Sequence, residues 1–379
     1  MSNMEYVPGL ENVIASETSI SYLDVEKEQI VVRGYDLLEL AERATYADTA
    51  YLLLHGRFPN APEREELESK WLAQSELPQQ VEAVFALLPH GMDGMDVLRT
   101  GISALAGFDA ELEDHSKEAN VRKAIRLIAK MPQLLACGCR TFSSTSEHEA
   151  SSELSFSGRF LRLLTGRTPS RLEERLFDQS LILYSEHEMP NSTFAARVIA
   201  STMSDLYGAV AGGASSLKGK LHGGANEAVM HMLLEAGTPE GLTTLIKNQL
   251  DRKQKIMGFG HRVYMRKPDP RALLMKEALL SLCLEKKDQS LYELCVAGEE
   301  AMEREKGLYP NLDYYAAPVY HLLGIPIPLF TPVFLAARTA GICAHVIEQH
   351  EHNRLFRPRV LYKGPRGLQP PSGTAGEEE

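Results

Sequence analysis

From residue 37 to about residue 351 the apolar residues of this chain recur at helical spacing, and nowhere does a strand pattern alternate with a helix pattern. That regularity excludes a doubly wound α/β fold and predicts an all-α architecture. Helix starts are legible from their chemistry. Asn60-Ala-Pro-Glu63 caps a run that puts Leu67 and Trp71 on one face. Ser170-Arg-Leu-Glu173 is a capping box before Leu172, Leu176 and Leu183. Val121, Ile125 and Ile128 form another apolar stripe, and Thr331-Pro332 opens a long helix through "VFLAARTAGICAHVIEQ". The exception is "TSISYLDVEKEQIVVRGYD" (18–36). Its β-branched Ile30-Val31-Val32 follows a polar turn, and this predicts a small N-terminal β-hairpin.

A length of 379 residues suits about two domains. A net charge of −11 argues against nucleic acid or an anionic membrane as the main partner, though not against a local basic pocket. The five cysteines (137, 139, 283, 295, 343) are too scattered for a disulfide framework and read as reduced and buried. The N-terminus has no signal pattern, and the most apolar stretch, "IPIPLFTPVFLAA" (325–337), is interrupted by three prolines. No apolar run of about 18 residues is expected. A cytoplasmic protein is therefore expected, with a disordered tail at 364–379.

Several common chemistries find no support. "HEMPN" (187–191) starts like a zinc-protease helix but has Asn191 in place of the second histidine. "HVIEQHEHN" (345–353) reads as surface histidines at the wet end of a helix. "GFGH" (258–261) lacks the rest of a dinucleotide fingerprint, and neither a P-loop nor a nucleophile elbow is present.

Three stretches keep chemical interest. In "KLHGGANEAVMHMLLEAG" (220–237), His222 precedes a helix N-terminus. There the positive dipole end disfavours imidazolium, which predicts a neutral hydrogen-bond donor; an ordinary turn histidine fits the spacing equally. In "MGFGHRVYMRKPDPRA" (257–272), His261 lies among Lys255, Arg262, Arg266, Lys267 and Arg271. Asp269 is a good N-cap and Pro270 a good first helical residue, so Arg271 falls in the first turn, where a cation opposes the macrodipole. Either Asp269 or a bound carboxylate would compensate it. Gly258 and Gly260 would let a ligand approach the backbone. In "GLYPNLDYYAAPVYHLLGIP" (307–326), Pro310-Asn311 caps a helix ending at Gly324, which leaves Asp313 in the first turn. The dipole would keep Asp313 ionised, as a base requires, although acidic residues are ordinary at such a position. Arg338, flanked at helical spacing by Phe334, Leu335, Gly341 and Ile342, sits on an apolar face and needs an anionic partner, from the protein or from a ligand. Arg357 and Arg359 offer further fork-shaped donors or are simply solvated.

Taken together, "LHGGANE", "GFGHRVY…DPRA", "PNLD" and "FTPVFLAARTAG…NRLFRPR" resemble the citrate synthase family, in its order and over nearly the whole chain. "LYSEHEMPNSTFAARVIAS" and "LYPNLDYYAAPVYHLLGIPIPLFTP" are similar to its Gram-positive 2-methylcitrate synthase subgroup. The resemblance implies a two-domain helical homodimer. Residues 1–223 and 324–379 would form a large dimerising domain, and 224–323 a small domain that closes over oxaloacetate. It implies Asp313 as the base at the thioester α-carbon, His222 as the enolate stabiliser and His261 as the acid at the ketone. His187, Arg271 and Arg338 would bind oxaloacetate, with Arg357 reaching the partner subunit's site. Lys255, Ile256, Met257, Gly258, Phe259 and Asn311 would contact coenzyme A. No metal or prosthetic group is implied, since the coenzyme A thioester is a substrate. "GHRVY" stands where relatives dedicated to propionate carry "GHPVY". This predicts activity with both propionyl-CoA and acetyl-CoA, the alternative being a dedicated acetyl-CoA citrate synthase. A non-catalytic helical sensor of coenzyme A or a dicarboxylate and a zinc hydrolase are the readings from other classes.

Overall fold

A computed structural model describes residues 6–24, 26–27, 29–140, 154–260 and 268–369, with the side chains of 138–140 excluded. Strands β1 (Ser21–Asp24), β2 (Gln29–Val32) and β3 (Tyr35–Asp36) form an antiparallel meander. Ser21 pairs with Val32 and Leu23 with Ile30, so Leu23, Ile30 and Val32 share the buried face. The Lys27 amide donates to Asp24 Oδ1 across the expected turn at 3.0 Å. The hairpin acquires a third strand because Arg33 and Gly34 both take positive φ (50° and 90°), as a tight hairpin turn requires.

Helices make up the rest. They are α1 (Leu37–Arg43), α2 (Tyr46–His55), α3 (Ala61–Ala73), α4 (Gln79–Ala86), α5 (Gly94–Ala106), α6 (Lys117–Arg140), α7 (Phe156–Thr165) and α8 (Arg171–Ser185). After these come α9 (Asn191–Ala200), α10 (Leu206–Leu217), α11 (Ala225–Ala236), α12 (Pro239–Asp251), α13 (Pro270–Lys286), α14 (Ser290–Lys306), α15 (Leu312–Leu323) and α16 (Phe330–Glu351). The capping boxes predicted at Asn60/Glu63 and Ser170/Glu173 are both formed, at the starts of α3 and α8.

Helix α16 is the axis of the fold, packed by α2, α5, α6, α8, α9, α10 and α11. This corrects two expectations. Pro328 and Pro332 do not break the apolar run. Pro332 stands in the first turn of α16, where an amide has no intrahelical partner to lose. Ile327–Glu351 is thus long and apolar enough to cross a membrane, but most of it is buried inside the protein as a core helix. Likewise His345 and His350 are buried, and His352 is exposed. The guanidinium of Arg197 can only donate, so His345 Nδ1 accepts from it at 3.0 Å and Nε2 faces Glu186 Oε1 at 3.2 Å. His350 Nδ1 accepts from Asn120 Nδ2 at 2.9 Å. A helix surrounded on all sides has no wet face to read.

Helices α11 to α15 pack largely on one another, α13 and α11 against α15 and α12 against α14, and reach the remainder through α8, α16 and α1. Cys283, Cys295 and Cys343 are free thiols and buried, Cys137 is buried as well, and the Cys139 side chain lies outside the described residues. Of the tail, 364–369 are exposed and without regular structure, and 370–379 lie outside the described residues.

Candidate active site

The start of α15 organises the site. Asn311 is its N-cap, and its side-chain oxygen accepts from the Asp313 amide at 3.1 Å. The same residue ties down the preceding glycine-rich segment. Its amide donates to the Gly258 carbonyl at 2.9 Å, and its Nδ2 donates to the Gly260 carbonyl at 3.0 Å. Phe259 bridges to Pro310, and the Gly260 amide donates to the Tyr309 carbonyl at 2.9 Å. The Asp269 amide donates to Pro310 at 3.4 Å, so α13 begins beside α15.

Asp313 Oδ1 accepts a hydrogen bond from the Tyr184 hydroxyl at 2.7 Å. Burial raises the Asp313 carboxyl to a pKa of about 6, against the opposing pull of Tyr184, Arg271 and Arg338. At pH 7 the group is still mostly ionised, as expected from its place in the first turn, but with a raised pKa that the sequence did not signal.

Tyr184 occupies the last turn of α8, where carbonyls lack intrahelical donors. Its carbonyl accepts from Arg338 Nε at 2.5 Å. Its ring packs on Phe334, with centroids 4.4 Å apart. Phe334 also lies under the Arg338 guanidinium, 4.9 Å from ring centroid to Cζ, and receives the edge of His222 at 6.3 Å. Arg338 makes no salt bridge among the described residues. Burial draws its pKa down to about 10, with Glu186 opposing, so it stays charged at neutral pH.

His222 sits two residues before Gly224, the N-cap of α11. Its pKa is pulled down to about 4, first by burial and then by the charge of Arg338. It is neutral, as expected, but burial is the main cause. The Ser192 amide donates to His222 Nε2 at 3.3 Å, and the Ser192 hydroxyl lies 2.9 Å from the same atom. An amide only donates, so Nε2 accepts and the ring proton is on Nδ1, which is thereby a donor.

Asp269 caps α13 and grips Arg271 in a two-pronged pair, Nε to Oδ1 at 3.1 Å and Nη2 to Oδ2 at 2.8 Å. The compensation offered by Asp269 is thus realised, and both side chains are buried. His187 is buried in the loop between α8 and α9. Within this chain Arg357 is exposed in the extended segment after α16. His261 lies outside the described residues, as do Arg262, Arg266 and Lys267.

The 255–259 run is mostly structural in its side chains. Ile256 and Phe259 are core residues, the Phe259 ring packing at a tilt on Tyr314 with centroids 4.4 Å apart, Met257 is half-buried, and Lys255 is exposed. Gly258 has φ +85°, and an added Cβ would meet Val229 Cγ2 at 2.6 Å and Tyr314 at 3.0 Å. Its close approach is therefore to the protein's own interior. A Cβ added at Gly260, which has φ +75°, would meet only Leu308, at 3.7 Å, among the described residues.

Tyr184, Phe334, Ser192 and Glu186 were not singled out in the sequence. Tyr184 and Phe334 sit at core spacing on their helices and carry no local signal that distinguishes them from packing residues. Glu186 is readable only as an odd carboxylate beside His187. In the fold it is fully buried between Ser21 and His345. Among the described residues no group of three or more His, Cys, Asp or Glu side chains could hold a metal ion.

A mainly helical fold in which Tyr184, Arg338 and His222 meet at the Phe334 ring and Tyr184 holds a desolvated carboxylate matches a family profile described as "Citrate synthase, C-terminal domain" over residues 9–359. The chain belongs to the citrate synthase family. Its sequence is 60% identical to the citrate/2-methylcitrate synthase of Bacillus subtilis, over 95% of this chain and 97% of that protein. It is 54% identical to the citrate synthase of Heyndrickxia coagulans, over 96% and 98%. The fold matches the citrate synthase of Thermoplasma acidophilum, solved as a ternary complex with carboxymethyl coenzyme A and oxaloacetate. The TM-score is 0.90 at 30% identity, with 96% of this chain and 98% of that one covered.

Proposed function

We propose that this enzyme condenses an acyl-CoA with oxaloacetate and water, giving 2-methylcitrate from propionyl-CoA, citrate from acetyl-CoA, and free coenzyme A. Asp313 takes a proton from the thioester α-carbon, while His222 Nδ1–H stabilises the oxyanion that develops on the thioester oxygen. The enolate carbon attacks the ketone of oxaloacetate. His261 supplies the proton to the former ketone oxygen, and water then cleaves the thioester. Arg338, Arg271 and His187 hold the carboxylates of oxaloacetate, and Arg357 serves the partner subunit's site in a homodimer. Residues 224–323 close over the bound diacid, with 255–259 and Asn311 alongside coenzyme A.

The observation that carries this reading is the pairing of opposites linked through Tyr184, Phe334 and Arg338. A carboxylate tuned to about 6 and an imidazole that stays neutral to about 4 are joined by a buried arginine with no carboxylate of its own among the described residues. A base and a neutral donor at one carbon are what thioester enolisation needs, and a spare buried cation is what a dicarboxylate needs. The relatives named above include both product types, and one methylene is worth only about 1–3 kcal/mol of discrimination. The test is release of free thiol from propionyl-CoA and acetyl-CoA with and without oxaloacetate. Release that requires oxaloacetate, with propionyl-CoA giving the higher kcat/KM, is expected. A clear acetyl preference would make the enzyme a dedicated citrate synthase, and thiol release independent of oxaloacetate would overturn the condensation.

A further inference from the structure

We propose that Tyr184 is the positioning residue of the base: its hydroxyl clamps Asp313 Oδ1 so that Oδ2 alone faces the substrate, and it favours the ionised form. This rests on the reading of Asp313 as the base.

The geometry is specific. The Tyr184 hydroxyl is 2.7 Å from Oδ1, and Tyr184 is itself fully buried. Among the described residues Asp313 accepts no other side-chain hydrogen bond. An aspartate rotates broadly about its last torsion, so an unclamped carboxylate would present either oxygen, in a range of directions. One short bond to a fixed phenol removes that freedom. The phenol is fixed from three sides. Its ring packs on Phe334, its backbone carbonyl accepts from Arg338, and Tyr320 lies beside it with ring centroids 6.3 Å apart. Burial keeps the phenol far above its ordinary pKa, so it is a donor at every working pH.

The groups acting on the Asp313 charge come from three elements: Tyr184 from α8, Arg271 and Asp269 from α13, and Arg338 from α16. Helix α11 also packs on α15. Its acidic Glu227 is turned to Thr331, whose hydroxyl donates to it at 2.5 Å, and does not enter this set. Arg271 is already engaged with Asp269, and Arg338 donates to Tyr184. The hydroxyl is thus the neutral donor in direct contact with the base, and it adds no charge that would compete with a dianionic substrate. Residue 184 also connects the two halves of the reaction: its side chain holds the base, and its carbonyl holds an arginine proposed for oxaloacetate.

The test is the pH dependence of kcat/KM for propionyl-CoA at saturating oxaloacetate, in wild type, Tyr184→Phe and Asp313→Asn. Tyr184→Phe keeps the ring and its packing. Losing a donor to an ionised carboxylate should move the acidic limb upward by about one pH unit or more. Activity should fall about fivefold or more at pH 6 and less at pH 9, with KM for oxaloacetate changed less than twofold. Replacing Tyr184 by 3-fluorotyrosine, a stronger donor of similar shape, should move the limb the other way. Simple loosening of the fold would not produce opposite signs. If both variants leave the limb where it is while Asp313→Asn is inactive, the clamp is refuted and the base stands. If Asp313→Asn stays active, the underlying reading fails instead.

Discussion

Asp313 is held in a state that folding does not favour. Its folded pKa is about 6 against an ordinary 3.8, so the native protein takes up this proton more readily than the unfolded chain does. The destabilisation is fully present above pH 6. It fades as pH falls and is gone below about 4. The shift corresponds to roughly 3 kcal/mol at most. Asp313→Asn should therefore raise the unfolding midpoint in urea at pH 8 and leave it nearly unchanged at pH 4; a lower midpoint at pH 8 would contradict the assigned environment. The same pKa sets the activity profile. kcat/KM should decline below pH 6 as the base is protonated, with no second loss from His222 until about pH 4. Arg338 has a different role. If it grips the diacid as proposed, removing its charge leaves a buried substrate carboxylate unpartnered, an effect of about 2–5 kcal/mol in comparable pairs. Arg338→Leu should raise the Kd for oxaloacetate at least about thirtyfold in calorimetry. An unchanged affinity would place the diacid elsewhere.

At the scale of elements, the segment ending at Gly260 shows what one glycine does that another does not. Both Gly258 and Gly260 have positive φ, which costs a residue with a Cβ about 1–2 kcal/mol. Gly258 additionally abuts Val229 and Tyr314, while at Gly260 an added Cβ would make only an ordinary contact with Leu308 among the described residues. Gly258→Ala should lower thermal stability clearly more than Gly260→Ala and raise KM for acyl-CoA. Equal effects of the two variants on the melting temperature would mean the packing plays no part. This contrast also marks the boundary of what was legible beforehand. Caps are local, so Asn60, Ser170, Asp269 and Asn311 could be read from neighbouring residues and were found where expected. The neutrality of His222 and the burial of Arg338 were legible too, from a turn and an apolar face. Three features depend on which helix lies against which and leave no local trace. They are the raised pKa of Asp313, the burial of His345 and His350, and the hydroxyl that α8 delivers to α15. The side chains of 256 and 259 illustrate the same point, since a motif gives residue identities but not which way each one turns.

For the molecule as a whole, the proposed reaction draws on two protomers and two lobes. Arg357 lies in an exposed extended segment beyond α16, a position suited to a neighbouring chain. Arg357→Leu and Asp313→Asn, each impaired alone, should regain activity when their subunits are mixed and allowed to exchange. One site of the mixed dimer then has both groups intact. Failure of the mixture to exceed the separate variants would mean that Arg357 acts within its own protomer or not at all. The central claim, that one cleft enolises a thioester beside a bound diacid, is tested most directly by Asp313→Asn. Calorimetry with oxaloacetate and thiol release from propionyl-CoA are measured on the same preparation. The account predicts that oxaloacetate binds within a few-fold of wild type while turnover falls by about 10²–10⁴, the range for loss of a placed general base. Turnover near the wild-type rate would contradict it.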